Sequence, residues 1–208
     1  MKNLVDIIQS LCDWLEENVC SQLLLLDPEN DTQDEEYEVS RIHPKAYPLF
    51  TPWQNANPEL AIAGAPGIVV SLLEGIDDIT KSTRTIGIQL QLVSWNPGVY
   101  GKDIYNPIND AKEIGGKSYY LQIDRQTFER SQEGWKESYL FLETTLKALE
   151  ETELIHGMRV KMKDGQITFG HYRDDTGPID LWPYWINYIR FDLEVVRTIR
   201  QKPYEKYL

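Results

Sequence analysis

The sequence predicts an α+β fold: a mainly antiparallel sheet, two amphipathic helices packed on one face of that sheet, and long irregular loops. Two segments have apolar residues at helical spacing, and others alternate apolar and polar residues as half-buried strands do. Each of these elements has one apolar side, so helices and sheet must pack together to remove those sides from water. We therefore expect a single domain over residues 1–208.

Both predicted helices have an apolar stripe with spacings of three and four residues. The first helix runs from about Lys2 to Gln22, with the stripe Leu4, Ile8, Leu11, Leu15 and Val19. The second runs from Trp135 to about Leu154, with the stripe Trp135, Tyr139, Leu142, Leu146 and Leu149. The run Leu23–Leu26 is compatible either with a longer first helix or with the start of a strand.

Two long segments, Thr85–Trp95 and Trp185–Val195, have the alternation of antiparallel strands with one buried and one wet face. Their apolar positions are Ile86, Ile88, Leu90 and Leu92 in the first, and Ile189, Phe191, Leu193 and Val195 in the second. The apolar run Gly67–Leu73 predicts another strand. The polar connection that follows it, Glu74–Arg84, is predicted to be a solvated loop.

A short hairpin is predicted around Asp164-Gly165, a residue pair that readily supplies the two positive φ angles of a type I′ turn. The flanking segments are Arg159–Lys163 and Gln166–Gly170. In that register Met162 faces Ile167 and Val160 faces Phe169.

The composition excludes several classes of protein. Hydrophobic residues make up 41% and aromatic residues 11% of the 208 positions, which is too apolar for a disordered chain. The formal net charge of −12 repels phosphate groups, so we expect neither sequence-specific nucleic-acid binding nor membrane association. The longest apolar runs are far shorter than the roughly 20 residues that a spanning helix needs.

The two cysteines, Cys12 and Cys20, are predicted to stay reduced. They fall eight positions apart in the first helix, where their Cα atoms would lie about 12 Å apart, too far for a disulfide. The first residues also lack the cationic start of a secretory leader. Synthesis in a reducing cytoplasm is therefore expected.

Three segments are predicted to be loops. The acidic segment 27–38 has carboxylates spaced as in a calcium loop, but Thr32 replaces the required glycine, which favours a solvated loop. The segments 37–67 and 96–131 are rich in proline, glycine and aromatic residues, and predict irregular or edge-strand excursions. Their aromatic side chains either cover the chain's own core or contact a neighbouring subunit. The interface candidates are Tyr47, Phe50, Trp53, Tyr100, Tyr105 and Tyr119.

No recognisable catalytic or metal-binding motif is present, so we expect no enzyme activity, no cofactor and no metal. The three histidines, His43, His156 and His171, lack the spacing of metal ligands, and His156 is explained by the helix dipole near a helix end. Carboxylates also cluster without a third catalytic group. Asp77-Asp78 lies in the predicted loop, and Asp174, Asp175 and Asp180 surround a Gly-Pro turn.

The order of elements resembles that of the tail terminator, or tail completion, proteins of long-tailed bacteriophages. The resembling features are the opening helix, the paired strands Ile68–Trp95, the helix Trp135–Leu154, the Lys163–Gln166 hairpin and the closing strand Trp182–Val195. The likeness covers about half of the chain.

The resemblance implies a homohexameric ring on the head-proximal end of the tail tube, in the virion, assembled in the cytoplasm of the bacterial host. Its partners would be its own copies, the tail tube protein, the neck or connector proteins and, in a contractile tail, the sheath. Asp77 and Asp78 are then candidates for an acidic loop facing the lumen, where like charge would keep DNA from sticking. The alternatives are another neck or connector component, a cytoplasmic adaptor that binds one protein and, least favoured, an enzyme with carboxylates from distant positions.

Overall fold

The computed structural model describes residues 3–27, 41–50, 64–96, 134–161, 166–174 and 184–196, and the backbone of short strands at 113–114, 117–118 and 177–178. Within these residues the α+β prediction is confirmed, because two α-helices accompany a mainly antiparallel sheet. The calcium-loop hypothesis for segment 27–38 falls almost entirely outside them.

Helix α1 spans Leu4–Asn18 and begins with a reciprocal cap between Asn3 and Asp6. The Asn3 side chain accepts from the Asp6 N–H at 2.8 Å, and the Asp6 carboxylate accepts from the Asn3 N–H at 3.2 Å. This satisfies two N–H groups that a helix start leaves without partners. A 3₁₀ turn, Cys20–Gln22, follows, and then strand β1, Leu25–Leu26, so the run after the helix belongs to a strand.

Helix α2 spans Trp135–Glu150, and its buried face differs from the predicted stripe. The buried residues are Ser138, Phe141, Leu142, Thr145, Leu146 and Leu149. Trp135 and Tyr139 are largely exposed instead and stack edge to face, 5.7 Å apart. The predicted stripe is wrong at Trp135 and Tyr139. Ser138 faces the sheet instead, where its hydroxyl accepts a hydrogen bond from the Asn187 side chain.

The main sheet has seven strands, in the order β3-β4-β5-β13-β9-β8, with β10 beside β13 as well. Their bounds are Lys45–Pro48 (β3), Gly67–Asp78 (β4), Thr83–Trp95 (β5), Leu154–Ile155 (β8), Met158–Lys161 (β9), Thr168–His171 (β10) and Tyr184–Val196 (β13). All pairs are antiparallel except β3 with β4. Three two-stranded ribbons complete the described strands: β1 with β2 (Arg41–Ile42), β6 (Glu113–Ile114) with β7 (Lys117–Ser118), and β11 (Arg173–Asp174) with β12 (Gly177–Pro178).

The predicted loop Glu74–Arg84 is wrong for most of its length. Strands β4 and β5 continue to Asp78 and from Thr83, so only residues 79–82 form the turn. A β-bulge between Leu72 and Gly75 shifts the register within β4. We call residues 73–84, the outer end of this hairpin, the arm.

The two-residue hairpin turn of this region is His156-Gly157, which joins β8 to β9. Both residues have positive φ, 46° and 81°, as a type I′ turn requires. His156 therefore does not lie at the end of helix α2, which stops at Glu150, and the helix-dipole interpretation is wrong.

The predicted pairing of Val160 with Phe169 is also wrong. Strands β9 and β10 run in line along the same side of β13, where Val160 lies opposite Leu193 and Phe169 opposite Ile189. The long strand β13 offers both segments a partner. Asp164-Gly165 lies outside the described residues.

The core lies between the helices and one face of the sheet. Alternate residues of β5 and β13 point into it, as predicted from Ile86–Leu92 and Ile189–Val195, and they form one cluster with the buried residues of α1 and α2. A smaller cluster of Leu26, Ala65, Val93, Trp95 and Ile186 lies on the opposite face, at the Trp95 end of the sheet. The rest of that second face is more polar: Arg190 donates to Gln89 at 2.8 Å and lies over the Tyr188 ring.

Candidate interaction surfaces

The described residues contain no group of three or more side chains suited to hold a metal ion. The histidines lie on separate elements: His43 precedes β3, His156 is in a hairpin turn and His171 ends β10. The His43 Nδ1 atom lies 2.7 Å from the Leu23 carbonyl oxygen, a contact that ties the β3 approach to the end of the first helix region. His43 therefore has a structural contact.

The two thiols are buried and unbridged, as predicted. Burial, assisted by the nearby carboxylates of Asp13 and Glu16, raises the pKa of Cys12 to about 11. Burial and Glu16 raise the pKa of Cys20 to about 12. Both groups stay protonated at neutral pH, and a buried, protonated thiol is a poor nucleophile.

Asp77 and Asp78 lie at the end of strand β4 rather than in a flexible loop. Arg84 donates to both carboxylate oxygens of Asp77, at 2.6 and 2.9 Å, and this hydrogen bonding raises the pKa of Arg84. This bidentate ion pair holds the ends of β4 and β5 together across the hairpin. Whether this end of the hairpin faces a lumen stays a prediction.

Asp78 organises the turn of the arm. Its Oδ1 atom accepts from the Thr80 hydroxyl at 2.5 Å and from the backbone N–H groups of Thr80 and Lys81, both at 3.0 Å. These hydrogen bonds, that of the Thr80 hydroxyl first, lower the pKa of Asp78 to about 2. The carboxylate therefore has a structural role in the turn.

Two of the six aromatic interface candidates lie in the described part. Tyr47 is half-buried on β3, opposite Val69 of β4. Phe50 follows Leu49, whose φ is 66°, and is 80% exposed. Phe50 is thus held out in water, as an interface residue would be. Trp53, Tyr100, Tyr105 and Tyr119 lie outside the described residues.

The arm has an exposed apolar surface that the sequence pattern does not predict. Leu73 is 52% exposed, Ile76 66% and Ile79 80%. Leu73 lies over Gly87 on the face without helices, and Ile76 lies opposite Thr85 on the same face. Large aliphatic residues in a segment otherwise polar were the signal in the sequence, and they were interpreted as part of a loop.

Other exposed apolar side chains lie on three different elements. Phe169 of β10 is 52% exposed, and Leu154 of β8 is also exposed. Trp135 and Tyr139 form an aromatic pair at the start of α2, the end of the helix away from Leu154. Exposed apolar side chains scattered in this way are normal and indicate no contact site by themselves.

A cavity of about 500 Å³ lies between the end of α2 and strands β9 and β13. Its charged side chains pair with each other: Arg159 with Glu153 at 3.6 Å, and Lys161 with Glu194 at 3.2 Å. Two further carboxylates, Glu150 and Glu151, also line the cavity, so its lining carries a net negative charge.

Within the described ranges, no helix is long and apolar enough to cross a membrane. No protein-family model and no curated protein matches the chain.

Proposed function

We propose that the protein is a structural assembly protein of a long-tailed bacteriophage, a tail terminator. Copies form a homohexameric ring that caps the tail tube and joins it to the neck. The ring contacts the tail tube protein on one side and the neck or connector proteins on the other. Each contact requires a surface that a solitary subunit leaves exposed to water.

The observation that carries this proposal is the apolar surface of the arm. Leu73, Ile76 and Ile79 are large aliphatic side chains left mostly in water. Burying a side chain of this kind completely is worth about 1.5–3 kcal/mol, so covering the exposed fractions of these three would contribute about 3–6 kcal/mol per subunit. A contiguous apolar surface exposed to water is typical of a site where another protein binds, as in a subunit of an assembly.

Two further features support the proposal. The opening helix, the paired strands β4 and β5, the helix α2 and the closing strand β13 follow one another as the resemblance to tail terminators implies. The net charge of −12 also suits a wall along which DNA passes, because like charge opposes adhesion. The Lys163–Gln166 hairpin does not support the resemblance, because β9 and β10 pair with β13 and not with each other.

Solution mass and electron microscopy of the purified chain test the proposal. We expect a particle of six copies by native mass spectrometry and rings with a central opening in negative stain. Rings incubated with purified tail tubes should bind at one end of each tube. A chain that stays monomeric at concentrations up to about 100 μM, well above the micromolar range of useful affinities, would overturn the ring.

A matched pair of variants makes the mass measurement specific to the arm. Ile76→Glu places a charge in the apolar surface, whereas Val5→Glu changes an equally exposed aliphatic residue on α1. The first variant should shift the mass toward the monomer and the second should not. If rings form but do not bind tail tubes, the protein is better explained as another neck or connector component.

A further inference from the structure

Two buried polar atoms near the start of α2 have no hydrogen-bond partner among the described residues. They are the Ser94 hydroxyl oxygen on β5 and the Asn187 Oδ1 atom on β13. Ser94 is 1% exposed and Asn187 is 0% exposed, so bulk solvent does not reach either group. Buried polar groups in proteins almost always have a partner, because leaving one without a hydrogen bond is costly. Each atom therefore requires a further hydrogen-bonding partner.

The orientation of the Asn187 amide is fixed by its contact with α2. Its Nδ2 atom lies 2.7 Å from the Ser138 hydroxyl oxygen and 3.2 Å from the Ser138 carbonyl oxygen. A carbonyl oxygen only accepts hydrogen bonds, so the amide atom that faces it must be the NH₂ group. Turning the amide over would lose this contact. The Oδ1 atom is an acceptor without a hydrogen of its own, and only a donor can satisfy it.

Ser94 and Asn187 are neighbours on the face of the sheet that α2 covers. In the pairing of β5 with β13, Ser94 lies opposite Trp185 and Leu92 lies opposite Asn187. Side chains alternate between the two faces along a strand, so Ser94 shares its face with Leu92 of the core cluster. Ser94 and Asn187 are thus diagonal neighbours, with Cβ atoms roughly 7 Å apart. Their oxygen atoms can therefore be separated by about two hydrogen-bond lengths, roughly 5–6 Å.

We propose that one internal water molecule binds between Ser94 and Asn187, beneath the start of α2. The water donates to the Asn187 Oδ1 atom and accepts from the Ser94 hydroxyl. Water suits this pair because it both donates and accepts, and because two polar partners are enough to hold a buried water. Neither side chain is charged, and an ion would be costly to bury beside neutral partners.

The water site connects three elements: β5, β13 and, through the Asn187 amide, α2. A second polar contact lies next to it, where the Glu137 carboxylate accepts from the Asn96 side chain and, at 2.7 Å, from Arg41. The start of α2 is thereby attached to the sheet by polar contacts, whereas leucine side chains pack its later turns into the core. This inference does not depend on the ring assembly proposed above.

A crystal structure of the full chain that resolves ordered water tests the proposal. We expect one water oxygen between the two side chains, at about 2.5–3.2 Å from both the Ser94 Oγ and the Asn187 Oδ1 atoms. Absence of a water peak at this position would overturn the site. A direct hydrogen bond between the two side chains, or a backbone carbonyl that accepts from the Ser94 hydroxyl, would overturn it as well.

Crystal structures of three variants identify the residue that holds the water. Ser94→Ala removes the hydroxyl and should lower the occupancy of the water, whereas Ser94→Thr keeps the hydroxyl and should retain it. Thr145→Val is the control, because the buried Thr145 hydroxyl already donates to the Phe141 carbonyl at 2.8 Å, and this variant should leave the water in place. Equal water density in Ser94→Ala and the unaltered chain would show that Ser94 is not a ligand, and the shared site would be wrong.

Discussion

Strand β4 has two halves with opposite surroundings, although both pair with the same strand, β5. Gly67–Val70 are all buried, whereas Leu73–Asp77 are all exposed. The first half lies in the part of the sheet that carries the core, while the second half extends past it as the arm. Pairing of strands therefore does not bury side chains by itself; burial depends on a second layer. The covered half stabilises the fold, and the uncovered half leaves its side chains exposed.

The largest expected effect contrasts the two regions directly. Leu90 of β5 is completely buried in the core cluster, so Leu90→Ala should lower the free energy of unfolding by about 2–5 kcal/mol, through lost burial and a cavity. Ile76→Ala in the arm should lower it by less than about 0.5 kcal/mol in the monomer, since the side chain is already in water. Urea unfolding of both variants, at a concentration where the chain is monomeric, measures the difference. Equal losses would mean that the arm is part of the core.

A smaller effect is expected where a polar group lies under α2. The Asn187 side chain is buried and donates to the Ser138 hydroxyl at 2.7 Å and to the Ser138 carbonyl at 3.2 Å. Asn187→Ala should destabilise the fold by about 1–3 kcal/mol, because the buried Ser138 hydroxyl and carbonyl then lose their hydrogen-bond donor.

A double-mutant cycle of Asn187→Ala with Ser138→Ala assigns that loss to the hydrogen bonds. The two changes together should cost less than the sum of the separate changes, with a coupling of about 0.5–3 kcal/mol. If the two free-energy changes simply add, the hydrogen bonds contribute nothing and the loss comes from packing alone. Gln91→Ala, a change of an amide side chain on the opposite face of the sheet, is the control for a general effect of losing an amide.

Excision of residues 97–133 should change stability still less. The ends of this segment meet: a Cβ atom on Gly134 would collide with the Asn96 carbonyl, and Trp185 donates to the same carbonyl at 2.8 Å. A short Gly/Ser linker can therefore join Asn96 to Gly134. We expect the free energy of unfolding to stay within about 1–2 kcal/mol, because closure entropy varies slowly with loop length. Loss of cooperative unfolding in urea would show that the core requires this segment.

The same contrast explains how much of the fold was predictable from sequence. The alternation in β5 and β13 and most of the α1 stripe predicted burial correctly, because a helix layer covers those residues and selects apolar side chains on one face. No described element covers the arm in this way, and its residues lack the alternation. Glu74, Gly75 and Asp78 in particular are typical of loops, and only the pairing with β5 makes them a strand.

The interaction surfaces were less predictable than the core. Strands β9 and β10 each pair with β13, so the partners of Val160 and Phe169 depend on a strand that is distant in sequence and not on a local turn. Phe50 was identified from its place among prolines and is exposed. The aliphatic residues of the arm were missed because exposure depends on where the helices end, and that is a property of the tertiary structure.

The smallest expected effect lies at the tip of the arm, in the titration of Asp78. Its pKa of about 2 is below the ordinary value of 3.8, so the unfolded chain binds a proton more readily than the folded chain. The contribution of this carboxylate to stability is thus present above pH 4 and is lost as the pH falls through the folded pKa.

NMR titration of the Asp78 carboxyl carbon should give a midpoint near 2, and Thr80→Ala should raise it, because the Thr80 hydroxyl is its leading hydrogen-bond donor. By the same linkage the variant should lower the stability at neutral pH, but only slightly, because the carboxylate lies at the surface and water screens its interactions. A midpoint near 3.8 in the unaltered chain would mean that the turn is not held by Asp78, and the arm would then be a loosely ordered loop, as the sequence first suggested.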